Sequence, residues 1–180
     1  MPQPVLIPTL DTERLHLRGY RPDDLDACAA MYAAPEFTRH VSERPIPRED
    51  VWARMLRYIG HWSVFGFGFW AIEEKATGRY VGEAGLAYFK RDIEPPIDCP
   101  EAGWGLAPWA HGKGFATEIV RAIHTWYDAE LGPTRTACIV RPANVASIRV
   151  AEKCGYRELQ RVSFYGAPMI IFERSGAPRS

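Results

Sequence analysis

The chain predicts a mixed α/β domain built around one sheet. Three observations carry that prediction. Alternating or all-apolar runs of strand length are interspersed with segments whose apolar residues recur at helical spacing. Helix-starting and helix-stopping residues stand at the ends of those segments. The 180 residues, 47% of them apolar, fit one domain with a sizeable core and show no repeat or low-complexity linker.

The elements follow in order. Arg14–Tyr20, RLHLRGY, alternates apolar and polar residues as a half-buried strand does. Pro22, Asp23 and Asp24 open a helix that runs to about Ala33. Proline suits the first helical position, and carboxylates are favoured at the positive end of the helix dipole. RPIPRED carries a second start signal, and Val51–Trp62 supplies apolar residues at helical spacing. A hairpin comes next: Phe69–Glu73, a turn ending at Gly78, then Tyr80–Phe89. KRDIEPPIDCPE is a proline-rich, mostly acidic loop. Glu101–Leu106, EAGWGL, predicts the next strand. Phe115, Ile119, Ala122, Ile123 and Trp126 form the apolar stripe of a helix that Gly132 and Pro133 stop. TACIVR is short and nearly all apolar, as a central strand is. In NVASIRVAEKCGY, Asn144 is placed to cap a short helix, Gly155 to end it left-handed, and Tyr156 to pack back on it. Strands near Arg157–Phe164 and Met169–Arg174 close the chain. The order β-α-α-β-β-β-α-β-α-β-β has no internal boundary, so residues 1–180 read as one domain with a core at about 11–174 and short flexible ends.

Composition excludes several classes. Lys plus Arg number 22 and Asp plus Glu 22, so no global field attracts nucleic acid or an anionic membrane. The richest apolar run, SVFGFGFWAI, is too short and glycine-rich to span a bilayer. Cys28, Cys99, Cys138 and Cys154 form no C-x-x-C pair. With no secretory signal in MPQPVLIPTL, they read as reduced thiols of a cytoplasmic protein. No histidine or cysteine spacing suggests a metal site.

AHGKGFATE, at the junction of the EAGWGL strand and the following helix, is the informative stretch. Gly112 and Gly114 suit a tight turn. They also suit an anion cradle, because the first amides of a helix lack acceptors and the dipole adds positive potential there. Lys113 adds a point charge. HGKGF is no P-loop, since Gly114 follows the lysine and Ala107 stands where the first glycine belongs. GFGFWA enters a strand rather than a helix, so it is no dinucleotide fingerprint. There is no G-x-S-x-G elbow.

HGKGFA, His111 to Ala116, is similar to the [QR]-x-x-G-x-[GA] motif of the GNAT superfamily of N-acetyltransferases, except that His111 replaces Gln or Arg. VRPANVASIRVAEKCGYRE resembles the RimJ/RimL-type branch, the ribosomal-protein N-terminal acetyltransferases and their relatives. Asn144, Ser147, Arg149-Val150, Glu152-Lys153 and Gly155-Tyr156 carry that likeness. FGFWAIEEKATGRYVGEAGL resembles the family's central hairpin and TERLHLRGY its opening strand. Four motifs in the right order, over about residues 11 to 174, are specific together.

The resemblance implies a GNAT fold: one mixed sheet with a splayed central parallel pair and helices on both faces. It implies acetyl-CoA as the acetyl donor, with no metal. Its pyrophosphate would meet His111, Gly112, Lys113, Gly114, Phe115, Ala116 and Thr117. Its pantetheine arm would run between Ala102–Leu106 and Thr136–Arg141, near Asn144, with the Leu106 amide holding the thioester carbonyl and later the oxyanion. The amine attacks directly in a ternary complex. Glu101 is the candidate base, through water, and Glu83 a second candidate. Ser147 is the candidate donor to the leaving thiolate, because Ala151 stands where many relatives carry a tyrosine. Each has a plainer reading: Glu101 as a solvated charge, Ser147 as a first-turn hydroxyl bonded to backbone, His111 as an exposed loop residue. Trp104 and Trp109 either line the acceptor cleft or fill core. Asp92, Glu94 and Asp98 would draw a cationic acceptor if their loop borders the cleft.

The acceptor is an amine, whether a protein N-terminus or a small molecule, and the protein a monomer or homodimer. Two other classes stay open: a coenzyme A-binding module without turnover, and a nucleotide-binding or phosphotransfer protein. Thioester cleavage with any amine excludes the first. Retention on coenzyme A but not on ATP excludes the second.

Overall fold

The computed structural model describes residues 6–42 and 44–176. Residues 1–5 and 177–180, parts of the expected flexible ends, lie outside those residues. The strands are β1 (Leu10–Asp11), β2 (Leu15–Arg18), β3 (Phe69–Glu74), β4 (Tyr80–Ala87), β5 (Glu101–Leu106), β6 (Thr136–Val140), β7 (Arg157–Phe164) and β8 (Ala167–Arg174). The helices are α1 (Leu25–Ala33), α2 (Pro35–Val41), α3 (Arg48–Phe65), α4 (Phe115–Glu130) and α5 (Val145–Lys153). All the strands join one sheet in the order β1-β2-β3-β4-β5-β6-β8-β7. Every neighbouring pair is antiparallel except β5–β6.

Four features depart from expectation, the first being the unexpected two-residue β1, which pairs with β2 at the edge of the sheet. Pro22–Asp24 forms a 3-10 turn, so α1 starts at Leu25, and Arg18 Nη2 lies 2.6 Å from Asp24 Oδ1 to pin that turn on β2. α2 was not expected: Pro35 starts it, and its buried Phe37 packs edge-on to Tyr32. α3 is longer than its apolar core, running to the left-handed Gly66 (φ 73°).

Cross-strand partners share a sheet face. Ala71 lies opposite Glu83 and Glu83 opposite Gly105; Phe69 lies opposite Gly85 and Gly85 opposite Gly103; Ala87 lies opposite Glu101 and Glu101 opposite Ala137. These residues therefore face one side. Half of that side is covered by α1 and α3, whose Cys28, Met31, Met55 and Tyr58 pack with Phe69 and Ala71. The other half lies under the loop between β4 and β5, where Ile93 and Cys99 pack on Ala137 and Ile171. The opposite side presents Trp70, Ile72, Leu86, Cys138 and Phe172 to Phe115, Ile119 and Ile123 of α4. Two glycines of EAGWGL are required by the first side. A Cβ at Gly103 would lie 2.8 Å from the Phe69 ring, and one at Gly105 2.7 Å from the Phe37 ring.

The expected caps of α5 are present. Asn144 Oδ1 accepts from the Ser147 amide at 3.1 Å, Gly155 is left-handed (φ 88°), and Tyr156 is buried. All four cysteines are buried and unpaired. No helix among the described residues is long and apolar enough to cross a membrane.

Candidate active site

The site begins where the parallel strands part. β5 and β6 are in register only at Glu101 and Ala137, where the Ala137 amide donates to the Pro100 carbonyl at 3.0 Å. Beyond that contact the strands diverge. The Ala107 amide donates to Val81 of β4 at 2.8 Å. Backbone groups alternate in direction along a strand, so the amides of Trp104 and Leu106 point the other way, into the gap. A cavity of about 900 Å³ opens there. Gly103, Trp104 and Gly105 border it on one side, Cys138, Ile139 and Val140 on the other, with Asn144 and Ser147 at the start of α5.

The glycine turn stands at the end of β5. Gly112 (φ 75°) and Gly114 (φ 79°) are both left-handed, and Phe115, buried under the sheet, starts α4. Among the described residues, no protein acceptor meets the amides of Gly112, Lys113, Gly114, Phe115, Ala116 or Thr117; the first helical bond is from Glu118 to Gly114 at 3.2 Å. The space over the turn is open. A Cβ on Gly112 would meet nothing within 4 Å, and one on Gly114 only Arg14 at 3.6 Å. An unpaired row of amides at a helix start, with no side chain above it, fits a pyrophosphate. Arg14, unmarked by any sequence signal, holds this turn: its Nη1 donates to the Lys113 carbonyl at 2.9 Å and its Nε to Glu118 at 2.8 Å. A second hollow, bordered by Arg14, Thr117, Arg121 and Lys153, continues from Gly114.

His111 is spent elsewhere. Its Nε2–H donates to the Leu106 carbonyl at 2.9 Å. Lys113 places its ammonium 4.6 Å from the Trp109 ring centroid, and Arg79 covers the same ring at 4.1 Å. Trp104 borders the cavity, whereas Trp109 does not.

The carboxylates divide in a way the sequence did not suggest. Glu101 is 3% exposed and does not border the cavity; Arg91 Nε bonds it at 2.7 Å and stands at the cavity wall instead. Burial raises the Glu101 pKa, and the neighbouring Arg91 works against that rise. The plain reading of Glu101 as a solvated charge is thus overturned. Glu83 does border the cavity. Tyr20 donates to it at 2.7 Å, Tyr32 donates to its other oxygen, and Tyr58 lies at 3.4 Å. Burial, first, and the Glu83 charge push all three phenols up, Tyr58 to about 12, so they stay protonated donors. These tyrosines come from three separate segments, and no spacing signal joins them. The acidic loop also differs from expectation: Asp98 pairs with Arg135, and of its residues Lys90, Arg91 and Asp92 border the cavity. Among the described residues no His, Cys, Asp and Glu group is arranged to hold a metal ion.

The family model for the GNAT acetyltransferase domain matches residues 14–157, four-fifths of the chain, including the glycine turn, the parted strands β5 and β6, and the start of α5. The chain belongs to the GNAT acetyltransferase family. This acetyltransferase is 30% identical over 110 residues to the uncharacterized protein YkkB of Bacillus subtilis, covering 61% of this chain and 62% of that protein's length. Its fold matches a putative GNAT-family acetyltransferase from Bordetella pertussis with a TM-score of 0.82 at 28% identity, covering 93% of this chain and 99% of that one. A spermidine N-acetyltransferase from Vibrio cholerae, in complex with CoA and spermine, shares the fold at a TM-score of 0.71 and 18% identity, over 92% and 97% of the two chains. Ala151, at the position where the sequence resemblance leads one to look for a tyrosine, is the buried seventh residue of α5.

Proposed function

We propose that this acetyltransferase moves the acetyl group of acetyl-CoA to a primary amine, in a ternary complex, and that it belongs to the RimJ/RimL-type branch. The observation that carries the reading is the row of unpaired amides at two left-handed glycines, beside a parallel pair that opens into a cavity. When bound, acetyl-CoA supplies the acetyl group as an activated thioester. The chain's own residues do the rest. Gly112, Lys113, Gly114, Phe115, Ala116 and Thr117 hold the pyrophosphate through their backbone. Asn144 keeps α5 in place and offers its amide group to the pantetheine arm. The Leu106 amide, which faces the gap where β5 and β6 part, donates to the acetyl oxygen as it gains charge. Ser147 gives a hydrogen bond or proton to the departing sulfur.

Proton removal is assigned to Glu101 through water. Burial makes it a better base than a solvated carboxylate. Arg91 lies between it and the cavity, so the water path runs past that guanidinium. Glu83 is the weaker candidate, because the hydroxyls of Tyr20 and Tyr32 already occupy both of its oxygens. The sequence branch rests on the Asn144-to-Tyr156 segment, whose cap geometry is the one its residues imply. A screen of amine acceptors with acetyl-CoA, following free thiol, tests the reading. Thiol release that depends on an amine supports it; retention of coenzyme A with no release for any amine would leave only a binding module.

A further inference from the structure

The walls of the cleft say what kind of amine it takes. Arg54 and Arg57 stand three residues apart on α3 and so share one face of it. Both border the cavity. Arg54 Nη1 donates to Tyr58 Oη at 3.1 Å, and its guanidinium lies 5.0 Å from the Tyr32 ring centroid. Arg57 lies 6.0 Å from the Phe89 centroid, and Arg91 approaches the same ring to 4.6 Å. Arg91 has a carboxylate partner in Glu101. Among the described residues Arg54 and Arg57 have none. Glu83, the cavity-wall carboxylate whose charge acts on Arg54, is engaged by tyrosine hydroxyls, and Asp50, which shares a second hollow with both arginines, forms no ion pair with them. The cavity wall thus carries Arg54, Arg57, Lys90 and Arg141 beyond the Arg91 pair, against Asp92 and the sequestered Glu83.

Coenzyme A does not account for these charges. Its phosphates belong to the glycine turn at the start of α4, and α4 packs on the opposite face of the sheet from α1 and α3. The acetyl end that reaches the gap is uncharged. Arg54 is partly buried, where a guanidinium without a counter-ion is costly; Arg57 is exposed at the cavity rim beside it, and a carboxylate matches a guanidinium fork with two parallel hydrogen bonds. We propose that Arg54 and Arg57 bind a carboxylate of the acceptor, so that the acceptor is a primary amine bearing a carboxylate rather than a polyamine. The inference rests on acetyl transfer at the β5–β6 gap. Two sources share this chemistry: a free amino acid, and a peptide N-terminus followed by an acidic residue.

The test measures binding of acetylated product mimics to the protein saturated with CoA. N-acetylglycine is compared with N-acetylglycinamide, and N-acetylglutamate with N-acetylglutamine. An acetylated pentapeptide starting Ser-Asp is compared with its Ser-Asn counterpart. In at least one pair the acid should bind about tenfold or more tighter, the scale of a charged hydrogen-bond pair. The pair that discriminates names the source. In Arg57→Gln, an exposed position where folding is not at stake, the acid-to-amide ratio should collapse toward one, and Arg54→Gln should do the same. No acid preferred over its amide, or a preference untouched by both substitutions, overturns the proposal. CoA affinity and amine-dependent thiol release are followed separately. Transfer to neutral amines or spermidine without an acid preference leaves the acetyltransferase reading standing and removes this one. Loss of CoA binding in the parent protein removes the former and leaves the ratio to judge the arginines.

Discussion

Gly114 separates two demands that usually coincide. Its φ of 79° favours glycine, yet a Cβ there meets only the tip of Arg14. Gly114→Val should therefore fold with a loss of about 1–2 kcal/mol from the left-handed backbone. Its acetyl-CoA affinity should fall more than tenfold, because the isopropyl group enters the space over the amides. Titration calorimetry alongside a melting curve reads both; full affinity in a folded variant rejects the cradle. Ser147 allows a cleaner cut. Its backbone amide, not its hydroxyl, meets Asn144, so Ser147→Ala leaves the helix cap intact. We expect kcat to fall about tenfold or more with acetyl-CoA affinity unchanged. A variant with full kcat, where chemistry limits the rate, returns Ser147 to a structural role. For Glu101 the pH profile decides. Aliphatic amines have pKa values near ~10.4 and protein N-termini near ~8, so both need a base at neutral pH. Glu101→Gln should lose most kcat/KM near neutrality and recover as pH rises. A pH-independent loss means that Glu101 serves only to hold Arg91.

At the scale of elements, α4 is fixed to the sheet by a buried polar chain as well as by its apolar stripe. His124 Nε2 meets Tyr156 Oη at 3.0 Å, and that hydroxyl meets Thr136 Oγ1 at 3.0 Å. Burial, then Arg174, lower the His124 pKa to about 3, with Asp128 opposing. A depressed folded pKa means that the unfolded chain binds the proton first. The stability from neutral His124 is whole above the unfolded value near 6.5 and is lost as pH falls toward about 3. From pH 6.5 to 5 that is about 2 kcal/mol. Denaturant melts should show a weaker pH dependence over that range in His124→Gln, and an equal slope in both proteins counts against the linkage. Elements of this kind explain what could be read from the sequence. α4 and α5 are local: stripe, cap and left-handed glycine stand within one segment, so their limits were visible. α2 was not, because its seven residues bury only Phe37 and Thr38 and carry no stripe. The Glu83 cluster was hidden for a different reason. Tyr20, Tyr32 and Tyr58 meet one carboxylate only after β2, α1 and α3 converge on β4. Glu101 was placed correctly on its strand, but the Arg91 that covers it comes from a loop whose composition suggested acidity.

Over the whole molecule, the sheet separates two approaches to one gap. The glycine turn and α5 stand at the α4 side, and the arginines of α3 at the other. On the proposed reading both substrates are then bound together, and transfer needs no covalent detour through the protein. The candidate nucleophiles that border the cavity point the same way. Cys138 is 1% exposed, and burial drives its thiol pKa far up, so the reactive thiolate is scarce at neutral pH. Ser147 has no histidine near it to serve as a base among its hydrogen-bond partners in the described residues. We therefore expect a sequential mechanism. Initial rates with acetyl-CoA and acceptor both varied should give intersecting lines in double-reciprocal plots. Incubation with acetyl-labelled CoA alone should leave the intact mass of the protein unchanged. Parallel lines, or a gain of one acetyl group of mass that an added amine then removes, would establish an acetyl-enzyme. In that event Cys138→Ala and Ser147→Ala would identify which side chain carries it, and the Ser147 role assigned above would have to change from proton donor to nucleophile.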